Sequence, residues 1–203
     1  MSPRVPKPSG SRRENDPVSR TTDLRRRPSG SKDERRSYLI LCEGKTEKLY
    51  FTGMRTRLGP ELAVDAPGGS HVEVVREAVR RCVDEYDEVW CVLDTELDGD
   101  LIERIQTAAS EARVDLALSA PSFETWLLLH LKDCASPFAS AEQAKKALAV
   151  TCPGWSEART RFADFRKGVD DACDRARKLH GGERDPRLNP FTDVWRLVES
   201  ILR

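Results

Sequence analysis

Two uninterrupted apolar runs constrain this chain more than anything else in it: Tyr38-Leu39-Ile40-Leu41-Cys42 and Val89-Trp90-Cys91-Val92-Leu93. A strand with one face in water alternates apolar and polar residues, whereas a strand covered on both faces does not. Both runs therefore predict strands with helices packed on either side. Each run also ends abruptly in acid, the first in Glu43-Gly44 and the second in Asp94-Thr95-Glu96.

The segments between the runs have helical spacing. Lys45 to Leu58 places Tyr50, Met54 and Leu58 four residues apart, and Gly59-Pro60 closes it. Leu62-Ala63-Val64 reads as a short strand. Ser70 is placed to cap a helix from His71 to Tyr86, with Val75, Ala78, Val79, Cys82 and Val83 on its apolar face. Leu101 to Ala112 is helical, Val114 to Leu118 is a third strong strand, and Ser122 opens an almost wholly apolar helix to about Lys132. Ala141–Val150, Trp155–His180 and a terminal helix from Asn189-Pro190 to Arg203 complete the pattern. Alternating strands and helices indicate an α/β fold: a small, mostly parallel sheet flanked by helices, with a helical C-terminal part over 139–203.

Residues 1–36 are rich in Arg, Ser and Pro and poor in large apolar groups, so they are expected to form a disordered basic tail ahead of a folded domain at 37–203. Residues 1–37 hold eleven basic and five acidic side chains, and the chain as a whole is neutral, so the remainder carries −6. A basic arm on an acidic body can attract a polyanion, fold back on its own domain or simply stay solvated. The six cysteines form no C-x-x-C pair and no zinc-finger spacing, which is the pattern of free thiols in a reducing cytoplasm. No apolar leader and no membrane-spanning stretch of roughly 20 residues is found, so a cytoplasmic chain without membrane contact is expected.

Parallel sheets carry their sites at the carboxyl ends of the strands. Glu43 and Asp94 should therefore emerge at one edge, and in extended backbone Glu96 points to the same side as Asp94. Three carboxylates in a small volume repel one another, and a hard divalent cation, Mg²⁺ or Mn²⁺, relieves the conflict. Asp98 or Asp100 is placed to help hold a second ion. Turn and helix-cap roles are the plain alternative for each of these acids. Lys45 lies beside this site, where it either contacts the substrate or stays solvated, and Thr46 is placed to cap the helix after Gly44, whose N-terminus attracts a phosphate. Glu124 lies in the first turn of the buried helix, where it either favours the helix dipole or reaches the acidic cluster. His130, sharing a face with Phe123 and Leu127, reads more simply as a satisfied core histidine than as a base.

Together these segments resemble the RloB-like family. The resemblance is carried by Tyr38-Leu-Ile-Leu-Cys-Glu-Gly-Lys-Thr-Glu47 with Tyr50-Phe51, by Trp90-Cys-Val-Leu-Asp-Thr-Glu96, and by Ser119-Ala-Pro-Ser-Phe-Glu-Thr-Trp-Leu-Leu-Leu-His130. Phe165-Arg-Lys-Gly168 and Asn189-Pro-Phe-Thr-Asp-Val194 add to it. It covers about residues 35–203. RloB-like proteins are bacterial and archaeal, are similar to Toprim domains, and many are encoded beside an ABC-type AAA ATPase in a presumed anti-phage or abortive-infection pair. The resemblance implies a Mg²⁺ site in which Glu43 matches the Toprim glutamate and Asp94 the first aspartate of its D-x-D. Glu96 stands where Asp is usual, which moves the carboxylate outward by about one carbon–carbon bond. Leu97-Asp98 replaces a common Asp-His.

Two functions follow as expectations. One is a metal-dependent, Toprim-like nuclease acting on RNA (tRNA included) or DNA with an ATPase partner, using Glu43, Asp94, Glu96 and Glu124. The other is an adaptor for that ATPase without chemistry of its own. A homo-oligomer is compatible with either. No G-x-x-x-x-G-K-[ST] loop exists for nucleotide phosphate chemistry, and with 6% aromatic residues no base-stacking array is visible.

Overall fold

The computed structural model describes residues 35–82, 85–110 and 112–203. The expected tail thus lies outside the described residues except at Arg35 and Arg36. The carbonyl of Arg36 already accepts the Glu61 N–H at 2.8 Å.

Five strands form one sheet: β1 (Ser37–Cys42), β2 (Glu61–Asp65), β3 (Glu88–Asp94), β4 (Val114–Ala120) and β5 (Phe191–Thr192). Their order is β2-β1-β3-β4-β5. The first four are parallel and β5 runs antiparallel to β4. Three helices connect the parallel strands: α1 (Lys45–Gly53), α2 (His71–Arg81) and α3 (Gly99–Ala109). After β4 come α4 (Glu124–Leu129), α5 (Ala141–Thr151), α6 (Phe162–Phe165) and α7 (Val169–Lys178), and α8 (Val194–Leu202) follows β5. The expected α/β fold with a mostly parallel sheet is what the chain adopts.

The period-two geometry of a strand divides the two apolar runs between two cores. Tyr38, Ile40, Cys42, Trp90 and Val92 point into one core with Tyr50, Phe51, Trp126, Leu148, Ala172 and Val198. Leu39, Leu41, Val89, Cys91 and Leu93 point into the other with Val75, Ala78, Leu101 and Ile105. Helices therefore cover both faces, which is why neither run contains a polar residue. The C-terminal helices share the first core, and β5 joins the sheet, so residues 141–202 are built into the domain. Among the described cysteines all are free, and burial pushes the Cys91 thiol up to about 12, as suits a small core hydrophobe. No helix among the described residues is long and apolar enough to cross a membrane.

Four helical expectations need correction. The second helix ends at Arg81 instead of Tyr86, with Cys82 already outside helical geometry. The first helix stops at Gly53 instead of Leu58. A Cβ built on Gly53 would meet the Cβ of Phe162 at 2.8 Å, so this residue is a packing point, while Leu58 is exposed. The single helix expected over 155–180 is broken. Thr160 is buried and its Oγ1 accepts from Trp155 Nε1 at 3.1 Å, the chain is extended at Arg161, and the long α7 begins only after Gly168. The terminal helix starts at Val194 instead of Asn189, because β5 intervenes and Asp193 Oδ1 accepts the Leu118 N–H at 2.7 Å. The acidic first turn and basic last turn of α7 match its dipole as expected.

Gly168 has a demanding position. A Cβ there would lie 2.1 Å from the carbonyl oxygen of His130, with backbone on both sides and little freedom to shift. Overpacking of this kind costs about 2 kcal/mol. Gly168→Ala is expected to lower Tm by about 4–8 °C in a chain of this size, as read by calorimetry.

Candidate metal centre

The strand order reverses between β1 and β3, and such a switch point opens a crevice beyond the strand carboxyl ends. Glu43 and Asp94 sit there. The Glu43 N–H continues the ladder onto Val92 O at 3.1 Å, and Glu43 Oε2 accepts the Asp94 N–H at 3.1 Å. The two strand tips therefore meet as the sequence led one to expect. Asp94 Oδ1 turns toward α4 and accepts the Phe123 N–H at 2.8 Å.

Glu96 reaches the same crevice by a different route from the one expected. Glu96 and Leu97 both have positive φ, 50° and 61°, so the chain after β3 turns left-handed instead of staying extended. Two non-glycine residues in this region store about 1 kcal/mol or more each, and such strain is found where a side chain must be aimed. The turn brings Glu96 beside Glu43 and His71, and one ligand atom from each of the three lies within 4.8 Å of the others.

His71 is absent from the expected site residues, which were drawn from the segments after β1, β3 and β4. It is the first residue of α2, directly after the N-cap Ser70. Ser70 forms a capping box with Glu73: Ser70 Oγ accepts the Glu73 N–H at 3.4 Å and Glu73 Oε2 accepts the Ser70 N–H at 2.7 Å. Because β2 lies next to β1, the turn before α2 opens at the same sheet edge. The signal was available: every residue just past a parallel strand is a candidate at that edge, whatever its type.

Glu47 was also missed as a site residue, although it belongs to the first motif. Its side chain folds back on its own helix start, so that Oε2 lies 3.0 Å from the Cβ position of Gly44. It is 6% exposed and Oε2 has no hydrogen-bond partner. Burial, reinforced by the charges of Glu43 and Glu124, pushes its carboxyl up to about 7. Asp94 is pushed well above the usual carboxylate range, first by burial and then by Glu47, Glu43 and Glu124. Glu124 is raised by burial, despite a 2.6 Å hydrogen bond from Ser122 Oγ. Glu43 alone is lowered: burial opposes ionisation, but the contact with His71 and the Asp94 N–H outweigh it. His71 is raised, chiefly by Glu43. Lys145 of α5 forms an ion pair with Glu157 at 2.6 Å and also acts on Glu124 and Asp94, so one cation borders an otherwise acidic pocket. Nothing in the spacing of Ala141–Thr151 marks Lys145 in advance.

The remaining candidates separate. Lys45 is exposed on the first turn of α1. Thr46 does not cap this helix: the N-cap is Gly44, without a side-chain bond, and Thr46 is buried in the first turn. Asp98 caps α3, its Oδ1 accepting the N–H groups of Asp100 and Leu101 at 2.9 and 3.1 Å, and so is spoken for. Asp100 lines an open groove between α2 and α3 with Arg76 and Arg104. His130 is a satisfied core residue. Its Nδ1 lies 2.9 Å from Trp126 O and its Nε2 3.0 Å from Tyr50 OH, and burial pushes its pKa down to about 4.

With this geometry in view, the sequence profile of the RloB-like protein family matches residues 38–201. The chain belongs to the RloB-like family. All three blocks that carried the resemblance fall on this RloB-like protein's site: Glu43 and Glu47 in the first, Asp94 and Glu96 in the second, Glu124 in the third. No curated protein and no solved structure matches the chain.

The donor set fits a divalent cation. It supplies carboxylates from three separate segments, an unpartnered buried oxygen on Glu47, and a mutual repulsion that burial sharpens.

Proposed function

We propose that this RloB-like protein is a metal-dependent, Toprim-like nuclease that hydrolyses phosphodiester bonds in RNA, tRNA included, or DNA. The observation that carries this reading is the convergence of Glu43, His71 and Glu96, whose ligand atoms lie within 4.8 Å of one another, beside Asp94 at the β1/β3 switch point, with Glu47 and Glu124 near enough to raise Asp94. A bound divalent cation, Mg²⁺ or Mn²⁺, supplies Lewis acidity there, polarising a phosphoryl oxygen and making an attacking water more acidic. Glu43 and Glu96 would hold it, with Asp94, fixed by the Phe123 N–H, beside them. Lys45, exposed at the start of α1, and Lys145, which feels the charges of Glu124 and Asp94, are the cations we assign to phosphate charge. The family setting adds a role in anti-phage defence beside an ABC-type AAA ATPase, in the cytoplasm.

Metal removal tests the reading. The purified chain, alone and with the neighbouring ATPase, is incubated with tRNA, single-stranded RNA, and single- and double-stranded DNA. Cleavage is expected with Mg²⁺ or Mn²⁺ and is expected to vanish on chelation with EDTA and return on metal addition. Cleavage that persists through chelation overturns the role assigned to these acids.

A further inference from the structure

We propose that His71 Nε2 is a direct ligand of the cation at the open side of this centre, giving it a mixed nitrogen–oxygen donor set that selects Mn²⁺ over Mg²⁺. The inference rests on the metal-centre reading above and specifies one of its ligands. Nε2 of His71 lies 2.9 Å from Glu43 Oε2. Two atoms bonded at about 2.1 Å to one octahedral ion, at right angles, are about 3 Å apart. Nε2 is enclosed and faces the Glu43 carboxylate as an ion pair without an aligned hydrogen bond. A buried nitrogen without a bond is costly unless something else occupies its lone pair. Glu96 completes a triad whose ligand atoms lie within 4.8 Å of one another.

A second observation points the same way. Glu47 Oε2, on a side chain more than nine-tenths buried, is also without a partner and lies against Gly44, immediately behind Glu43. Two buried ligand atoms without hydrogen bonds, His71 Nε2 and Glu47 Oε2, thus belong to the same cluster as the Glu43 carboxylate. The ring is held in place: it stands on the first position of a capped helix and its side chain is 13% exposed.

The donor types decide the metal. Mg²⁺ demands hard oxygen ligands and keeps its water shell, whereas imidazole suits transition metals. Replacing one oxygen by imidazole nitrogen thus costs Mg²⁺ more than Mn²⁺.

The test uses the full chain and Mn²⁺ itself as a spectroscopic probe. Pulsed electron paramagnetic resonance of the Mn²⁺-loaded wild type is expected to show ¹⁴N modulation from a directly bound imidazole, lost in His71→Gln. Calorimetric titration is expected to show Mn²⁺ affinity falling at least about tenfold in His71→Gln, since partners one shell further out are worth roughly 10–100-fold. Mg²⁺ affinity is expected to change much less. Bound Mn²⁺ without ¹⁴N modulation in the wild type overturns the inference and leaves an all-oxygen centre standing. This needs no variant and so does not depend on how His71→Gln folds. A wild type that binds neither Mn²⁺ nor Mg²⁺ overturns the ligand role and the metal centre together.

Discussion

Glu43→Gln is expected to slow metal-dependent cleavage about a thousandfold or more while leaving the fold in place. Glutamine keeps the length and an oxygen able to accept the Asp94 N–H that Glu43 Oε2 accepts at 3.1 Å, so the β1–β3 tip contact survives. What is lost is the charge of the one acid in the cluster held below the usual carboxylate range and therefore ready to bind a cation. Metal-assisted charge stabilisation is worth several kcal/mol, and each 1.36 kcal/mol is a factor of ten in rate. Single-turnover cleavage of wild type and variant gives the ratio, and a thermal melt checks the fold. Equal rates would remove catalysis from this crevice. If Glu43→Gln also kept full protection against phage in cells, the adaptor role would be the better account.

Glu47→Gln is expected to make the metal-free protein more stable above pH 7, by about 3 kcal/mol. The folded carboxyl titrates at about 7 and its ordinary value is 4.5. Between those pH values the folded chain holds a proton that the unfolded chain has already released. Wild-type stability therefore loses this contribution as pH rises from about 4.5 to 7, and above 7 the whole penalty of a buried, crowded carboxylate is present. Glutamine never incurs it. The difference between the two proteins should be near zero below pH 4.5 and level off above 7, by urea melts across that range. Added Mn²⁺ should shrink it, because the cation relieves the wild type; at a hundred times Kd it stabilises the binding form by about 2.7 kcal/mol. A difference independent of pH would mean that Glu47 is not the strained acid of this site.

Such strain fits a metal centre. Inner carboxylates that hold protons without a cation give them up when one binds, so the same groups that destabilise the metal-free chain organise the loaded one. A residue retained against stability in this way needs a functional reason.

The local pattern carried much of the fold and the middle of the site. Runs of consecutive apolar residues occur where both faces of a strand are covered, so β1 and β3 and their terminal acids were legible, with the sheet type that brings those acids to one edge. Ser70 was legible as a cap because capping is a contact between residues three apart. The end of α1 at Gly53 and the late start of α7 after Gly168 were not, since these glycines pack against Phe162 and His130, residues far away in sequence.

The amino-acid sequence by itself determined an α/β sheet buried on both faces, membership of the RloB-like family, and the presence of Glu43 and Asp94 at the ends of two buried strands, which the sheet order then set side by side. Only the tertiary structure decided that the left-handed turn at Glu96–Leu97 carries Glu96 toward β1, that His71 and Lys145 join the acids, and that Asp98 is a cap and His130 a core residue. The physical reason is range. Periodicity, caps and strand ends are set by neighbours along the chain, whereas a ligand set is a convergence of side chains from separate segments, and its members are identified by distance in space.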